Sequence, residues 1–450
     1  MTLSPPAIDG LPPALRRRAM LGICLGVMLS SLDIAVANVA LPAISLDLAA
    51  SPAASIWVVT AYQITVIASL LPFAALGEIV GYRRVYWPGM ALFMLASLTC
   101  ALAPNLPLLI AARAVQGVAG AAMLSVSMAM VRLVQPSARL GAGLALYALT
   151  AAASQALGPT VAALVLSLGR WPWLFAVNLP IGLLSIAVAA RILPDNPRAA
   201  RRFDVPGALL AAAVFSLLIL GLGGLGHERE RIWAVVALAV AAGLGLALAW
   251  VEARQPTPLL PLDLLKHPLF SLSAGTSICA YAAQAAAFVA LPFVLHGVMG
   301  RSQAATGLLM TPWPLMIVAM APVAGRLSDR WSIGVLSGTG LLAMGAGIAL
   351  LALMPAHAAT ADIVWRTVLC GVGFGLFQTP NNRAMMTAAP PARSGAASGM
   401  VAVVRMLGMA VGSAVAAVAF GLFGLGGGMW TLGVAAGFAG AAAALSFARG

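Results

Sequence analysis

Long, unbroken runs of apolar residues separated by short polar segments dominate this sequence. A helix needs about 20 predominantly apolar residues to cross a bilayer, and the runs have that length. A membrane-spanning barrel would instead show short segments in which apolar and polar residues alternate. The pattern therefore predicts an all-α polytopic membrane protein with about fourteen transmembrane helices, near residues 19–40, 53–76, 85–103, 106–132, 140–166, 172–192, 206–225, 232–251, 269–296, 304–326, 333–354, 362–380, 396–422 and 428–447.

The composition supports the same class. Of the 450 residues, 62% are hydrophobic and only 8% are charged, and the mean hydropathy is +1.01. Soluble domains carry about 25% charged residues, so this chain cannot cover a water-facing surface. A soluble enzyme or binding domain is excluded.

The net charge of +13 comes from 25 Lys and Arg against 12 Asp and Glu. Most of these cations fall in every second loop, beginning with Arg16–Arg18 before the first apolar run. Basic loops face the cytoplasm, so we expect both termini there and residues 1–18 to form a cytoplasmic tail rather than a signal peptide. This asymmetry explains the basic balance without a nucleic-acid partner. The nearly Lys-free composition leads us to expect a bacterial inner membrane.

Several features recur along the chain at an offset of about 250 residues. Arg113 is echoed by Arg366, and Glu78, in the loop before Arg83 and Arg84, is echoed by Asp329. Related halves are typical of secondary transporters, which bind substrate between the halves near the bilayer midplane. We predict an N-terminal six-helix bundle at 19–192, a linker with two inserted helices at 193–268, and a C-terminal six-helix bundle at 269–450. The inserted helices are interpreted as a lipid-facing brace.

Asp33 is the only acidic residue well inside the first apolar run. A carboxylate at the bilayer centre costs about 2.5–3.5 kcal/mol on insertion scales, so it indicates a functional site. By helical rise, Arg113 in the fourth helix reaches a similar depth. We predict that Asp33 exchanges a proton and attracts a substrate cation, while Arg113 favours proton release. The alternative is a static Asp–Arg pair that only holds two helices together.

A cavity for lipophilic substrates needs aromatic, Met and amide side chains. The candidates, some of which we expect to pack helices or face lipid instead, are Tyr62, Gln63, Tyr147, Gln155, Tyr281, Gln284, Phe288, Met310, Trp313, Phe377, Gln378, Asn381 and Asn382. Arg405 lies deep in the thirteenth predicted helix and either lines this cavity or bonds to backbone. Asn38, Trp173 and Asn178 are predicted to be structural, as is the Asp362–Arg366 pair.

Charged residues at the cytoplasmic mouth are candidates for gating, with orientation alone as the alternative role. Gly158-Pro159 frees a backbone carbonyl and is expected to bend the fifth helix, either as a flexing element or as a fixed kink. The complete gating set is Glu78, Arg83, Arg84, Gly158, Pro159, Asp329 and Arg330.

No phosphate-binding Gly-Lys-Ser/Thr loop and no metal-type Cys/His spacing occur in the sequence. We therefore expect no cofactor and no metal, and a proton gradient as the energy source. The four His residues lie in or near predicted loops and are assigned no proton-relay role.

Four segments together resemble the fourteen-helix drug:proton antiporter branch of the major facilitator superfamily. They are the run from Leu32-Asp33 to Leu41-Pro42, the segment Trp57–Tyr62, the Arg113/Gln116/Gly117 helix, and the segment Trp171–Gly182. The resemblance implies a monomeric transporter that exports lipophilic, cationic drugs, biocides or dyes in exchange for protons. Two alternatives stay open: an exporter of one metabolite, lipid precursor or siderophore, in which Arg405 holds an anion, and a membrane sensor that transports nothing.

Overall fold

The computed structural model describes residues 10–196, 204–225, 231–252, 254, 262–388 and 394–449, and these are overwhelmingly helical. The helices, numbered in chain order, are α1 Pro13–Asp47, α2 Pro52–Val80, α3 Tyr82–Ala101, α4 Leu106–Val134, α5 Leu140–Leu168, α6 Pro172–Ala176, α7 Asn178–Ala189, α8 Val205–Gly224, α9 Arg231–Glu252, α10 Pro268–Phe293, α11 Gln303–Met310, α12 Pro312–Leu327, α13 Ile333–Ala352, α14 Thr360–Ala388, α15 Ser394–Phe423 and α16 Gly427–Phe447. Short 3₁₀ segments and a π turn at Val294–Val298 complete them.

Within the described residues, twelve helical stretches are long and apolar enough to cross a membrane. One of them, Gly399–Phe447, covers most of α15 and all of α16, which meet at a 3₁₀ turn. The 20-residue α3 is not among the twelve, and it begins with Tyr82 followed by two arginines. The expected count of about fourteen agrees with this arrangement. The chain is a multi-pass membrane protein.

Several predicted helix boundaries differ from those of the structure in two ways: two helices are longer than predicted and two are divided. The first helix extends from Pro13 to Asp47, with Pro42 inside it, because the protein interior accommodates the distorted turn. The sixth predicted helix is divided at Val177, and the tenth at Thr311, directly before Pro312. The twelfth continues to Ala388, eight residues beyond the predicted end at 380. Pro42 and Pro380 therefore do not end α1 and α14, whereas Val177 and Thr311 interrupt the predicted sixth and tenth helices.

Side-chain caps fix several helix beginnings. Ser51, Asn105, Ser302 and Ser332 each accept a hydrogen bond from the backbone N–H three residues later. These bonds satisfy donors that a helix N-terminus leaves without partners. Each cap lies at a polar connection between two apolar runs, so the sequence pattern and the local chemistry agree.

The helices pack with a repeated set of neighbours. In the first bundle, α4 packs against α2 and α3, and α1 against α5 and α7. The second bundle repeats these pairs, since α14 packs against α12 and α13, and α10 against α15 and α16. The recurrence of the same contacts is what the internal repeat in the sequence predicts. Of the inserted helices, α8 contacts both α2 and α15, while α9 packs on α8.

The two ends of the structure are distinguished here by charge. The basic side is the end at which α1 begins and α2 ends, beside Arg83 and Arg84, and the other end is the opposite side. On the opposite side, buried apolar residues of both bundles form one continuous cluster. On the basic side they divide into two clusters, the larger of which joins the first bundle to the middle of α15. The bundles are therefore held together mainly at the opposite side and along the contact of α2 with α15.

Candidate functional site

Asp33 lies deep inside the first bundle and is enclosed by other helices. The residue is 4% exposed and Arg113 is 0% exposed. One guanidinium nitrogen of Arg113, Nη1, donates a hydrogen bond to Asp33 Oδ2. The sequence-based expectation that these two residues can pair is therefore confirmed, whereas their roles in proton transfer stay predictions.

Two amides complete the environment of the carboxylate. Gln116 Nε2 and Asn178 Nδ2 each donate to Asp33 Oδ1 at 3.0 Å. The same amide groups donate to Ser97 Oγ, at 2.7 and 3.2 Å. Asp33 therefore has three side-chain donors from α4 and α7, and hydrogen bonds of this kind stabilise an ionised carboxylate.

Arg113 is oriented by groups other than Asp33. Its Nε donates to the carbonyl oxygen of Val58 at 3.0 Å, and Nη1 also donates to Gln116 Oε1 at 2.6 Å. The guanidinium carbon lies 4.4 Å from the ring centroid of Tyr62, within the range of a cation–π interaction. Close packing of α2 and α4 makes this possible: a Cβ on Gly117 would lie 2.4 Å from the carbonyl oxygen of Tyr62. Only glycine fits there.

Some polar atoms of the first bundle, including two at this centre on Tyr62 and Arg113, are buried without a partner in the described part of the chain. They are Asn38 Oδ1, Thr60 Oγ1, Tyr62 Oη, Gln63 Oε1 and Arg113 Nη2. Buried polar groups are usually hydrogen-bonded, and exceptions mark places where water or a ligand can bind. The centre therefore has unused donors and acceptors next to a satisfied carboxylate.

Sequence reasoning did not place Ser97, Gln116 or Asn178 in the environment of Asp33. Gln116 lies three residues after Arg113, so both fall on one helix face, and that spacing was an available signal. Asn178 was predicted to be structural because it was placed near a helix end. Its amide instead reaches the carboxylate, because α7 begins at Asn178 after the break at Val177. Ser97 gave no signal.

The predicted cavity residues divide by exposure. Tyr62, Gln63, Tyr281, Met310, Trp313, Phe377 and Asn381 are buried, whereas Tyr147, Gln284, Phe288, Gln378, Asn382 and Arg405 are half-buried and Gln155 is exposed. Several of the aromatic candidates pack against other rings: Tyr281 contacts Phe374 and Phe377 edge-on, and the half-buried Phe288 contacts Trp313 with ring centroids 5.1 Å apart. In this conformation these rings pack against one another.

Asn381 is occupied by other protein groups. Its amide donates to Ser277 Oγ at 2.7 Å and to the carbonyl oxygen of Ser273, and its carbonyl oxygen accepts from Arg449. Arg449 also donates to Ser273 Oγ at 2.8 Å. Because these contacts join α10, α14 and the end of α16 at the basic side, they hold the second bundle together.

The predicted gating residues occupy both ends. Glu78, Arg84, Asp329 and Arg330 are exposed and Arg83 is half-buried at the basic side. Asp329 pairs with Arg383 at 2.6 Å, within the second bundle. At the start of α3, a groove of about 460 Å³ is lined by Arg83, Arg84, Trp87, Pro88 and Asp195.

Gly158 and Pro159 lie where the bundles meet on the opposite side. A Cβ on Gly158 would lie 2.2 Å from that of Ala35, so α1 and α5 approach closely here. The carbonyl oxygen of Pro159 faces Gly307 of α11, and the Thr160 hydroxyl lies 2.9 Å from the Thr311 hydroxyl across the interface. The small residues of α5 and α11 therefore close this side of the molecule.

The fold and the buried ion pair define a helical membrane transporter built from two related bundles. The family model for the Major Facilitator Superfamily matches residues 23–413, and the chain belongs to this family. It is 47% identical over 418 residues to "Uncharacterized transporter YebQ" of Escherichia coli (strain K12), covering 92% of both chains. The protein is a transporter, not an enzyme.

Two other relatives are named for the transport of different compounds. The chain is 30% identical to "Riboflavin transporter RibZ" of Clostridioides difficile (strain 630), covering 87% of this chain and 85% of the relative. It is 31% identical to "Multidrug resistance protein Stp" of Mycobacterium tuberculosis (strain CDC 1551 / Oshkosh), covering 87% of this chain and 73% of the relative. Relatives at this level of identity therefore include a protein named for riboflavin transport and proteins named for multidrug resistance.

Proposed function

We propose that this protein exports lipophilic small organic molecules from the cell in exchange for protons. One observation carries the proposal: an ion pair buried to 4% and 0% exposure lies among three helices of the first bundle. A buried pair is a weak source of stability, because desolvation offsets its attraction. Its placement inside a transporter favours a role in coupling.

The coupling step follows from the donors around Asp33. Protonation of the carboxylate would remove the charge that holds the Arg113 guanidinium and would weaken the hydrogen bonds from Gln116 and Asn178. The contacts of α1 with α4 and α7 would then loosen together, since these donors belong to those helices. Because α1 also packs against α10 and α11 of the second bundle, a proton taken from one side and released to the other would be linked through α1 to the relative movement of the bundles.

The sequence predicts a cationic cargo attracted by Asp33. In the structure such a cargo would have to displace Arg113, which already neutralises the carboxylate. A cation could bind at Asp33 only in a conformation in which this pair is broken. The same proposal places the protein in a bacterial inner membrane as a monomer with both termini in the cytoplasm.

The test uses proteoliposomes that hold the purified chain and an imposed pH gradient. Ethidium and a neutral dye such as Nile red would be followed with and without a proton uncoupler. Gradient-dependent movement of either dye that the uncoupler stops is the expected result. Dye movement that is equally fast without the pH gradient, or that requires Na⁺, would contradict proton exchange.

Export of one particular metabolite is the second candidate. The similarity to a protein named for riboflavin transport favours it, as does Arg405, for which the described residues provide no acidic partner. In the same proteoliposomes, a response to a single acidic or acceptor-rich compound, with none to dyes, would select this candidate.

A further inference from the structure

Arg405 lies near the middle of α15, the helix of the second bundle that packs along α2 of the first. The residue is half-buried, and its Nε atom is enclosed without a hydrogen-bond partner among the described residues. A Cβ on Gly408, one turn after Arg405, would lie 2.9 Å from the Cβ of Tyr281 in α10. Val403 and Met406 beside Arg405 pack into the apolar cluster of the first bundle. The guanidinium therefore lies between the bundles, where transporters of this architecture bind their cargo.

Nothing in the described part of the chain neutralises this cation. Asp33 is paired with Arg113, and Asp362 is paired with Arg366 at 2.7 Å toward the opposite side. The centre of the molecule thus carries a net positive charge at mid-depth. An unpaired charge in a low-dielectric interior is costly, and a ligand of opposite charge would remove that cost.

Tyr281 adds a hydrogen-bond donor at the same place. Gln378 Nε2 donates to the Tyr281 hydroxyl oxygen at 3.0 Å, so the hydroxyl hydrogen is directed away from this amide. Edge-on contacts with Phe374 and Phe377 hold the ring, with centroids 5.3 and 6.3 Å apart. A guanidinium contributes five N–H donors and accepts none, so a group bound here must be an acceptor.

We propose that Arg405, assisted by the Tyr281 hydroxyl, binds the anionic group of an acidic amphiphile, a molecule with an aromatic or apolar body and a carboxylate. The proposal rests on the proposed function only in placing cargo between the bundles. It favours an acidic cargo over the cationic one that the sequence predicts from Asp33. Arg405 supplies both charge and a planar fork that matches a carboxylate.

Three probes that share one ring system test the sign of charge directly. They are 2-naphthoate, 2-naphthalenemethanol and 2-naphthylmethylammonium, each added to the purified full-length chain in dodecyl maltoside without any gradient. Unfolding is followed by a thiol-reactive coumarin, since Cys24, Cys100 and Cys370 are buried. A ligand that binds only the folded state raises the midpoint, and its concentration dependence gives an apparent Kd.

We expect 2-naphthoate to raise the midpoint most and the ammonium probe least. Arg405→Ala is expected to weaken naphthoate binding about 10- to 100-fold while leaving the alcohol unchanged. Arg405→Lys keeps the charge without the fork and should retain the preference for naphthoate with a smaller loss. Arg366→Lys is the matched control, because Arg366 is already paired with Asp362.

The proposal is overturned if the ammonium probe binds more tightly than naphthoate, if Arg405→Ala keeps the carboxylate preference, or if none of the three probes shifts the midpoint at millimolar concentration. If Arg405→Ala fails to fold, the order in which the three probes raise the unfolding midpoint of the wild-type protein still tests the proposal. Because binding is measured without a gradient, failure of proton exchange in proteoliposomes does not affect this outcome, and the two proposals fail separately.

Discussion

Asp33 and Arg113 form a pair whose members depend on one another. Transfer of either charge alone into the interior costs several kcal/mol, and the two repay this only when further hydrogen bonds satisfy their remaining atoms. Gln116 and Asn178 supply those bonds for the carboxylate, and the Val58 carbonyl accepts from the guanidinium. The residues around the pair therefore decide whether it is stable, and removing one partner affects folding and coupling together.

Asp33→Asn should abolish the release of protons that substrate induces, because an amide cannot carry the proton. It also leaves Arg113 uncompensated, which we expect to cost about 3–5 kcal/mol of stability. The double variant Asp33→Asn with Arg113→Gln should recover most of that stability without recovering proton release. Release is measured with a pH-sensitive dye in proteoliposomes, and Asp362→Asn serves as a control that keeps coupling. A single variant that still couples would remove Asp33 from the mechanism.

Asn178→Ala should lower stability by about 1–3 kcal/mol, since Asp33 loses a buried donor. Asn38→Ala is the matched control: its amide is also buried in the first bundle, but its carbonyl oxygen has no partner in the described residues. Thermal unfolding of both variants in detergent gives the comparison. An equal or larger loss in Asn38→Ala would mean that Asn178 does not support the carboxylate.

At the scale of helices, small residues set how closely elements approach. In a bilayer, lipid competes with apolar side chains, so helix contacts depend on close packing of Gly, Ala, Ser and Thr. The contact of α5 with α11 follows this rule through Pro159, Ala163 and Gly307. Because it lies between the bundles on the opposite side, this contact must separate whenever that side opens.

Gly307→Ala should therefore disturb closure of the opposite side. Its new Cβ would lie 2.5 Å from the carbonyl oxygen of Pro159, closer than packed atoms tolerate. We expect a lower unfolding midpoint and slower transport. Gly433→Ala is the matched control in α16, where nothing lies within 4 Å of the added atom, and it should be neutral or slightly stabilising. Identical behaviour of the two variants would show that the α5–α11 contact has no role in closure.

At the scale of the whole molecule, the bundles are joined unevenly. Contact is continuous on the opposite side and along α2 and α15, and α8 spans this second seam by touching both helices. Of the inserted pair, α8 thus lies across the boundary between the bundles and α9 packs on α8; a bracing role stays a prediction. Movement that opens the opposite side must break the Thr160–Thr311 contact.

A cross-link at this contact provides a test of alternating access. Thr160→Cys with Thr311→Cys, in a background without the four native cysteines, should form a disulfide, because the hydroxyl oxygens now lie 2.9 Å apart. Oxidation should stop transport and reduction should restore it, while either single variant is unaffected by oxidant. Transport that continues through the oxidised double variant would mean that this side does not need to open.

The sequence by itself determined the class, the helical segments and the two most costly charges, because each depends on local composition: long apolar runs require spanning helices, and buried charges are rare in them. Only the tertiary structure decided which side chains meet. Gln116 and Asn178 reach the Asp33 carboxylate from α4 and α7, and both also donate to Ser97 of α3; Asn381 is fully buried and accepts from Arg449. Helices that are apolar on nearly every face give no periodic signal of their buried side, so such convergence is fixed by packing between segments distant in the chain.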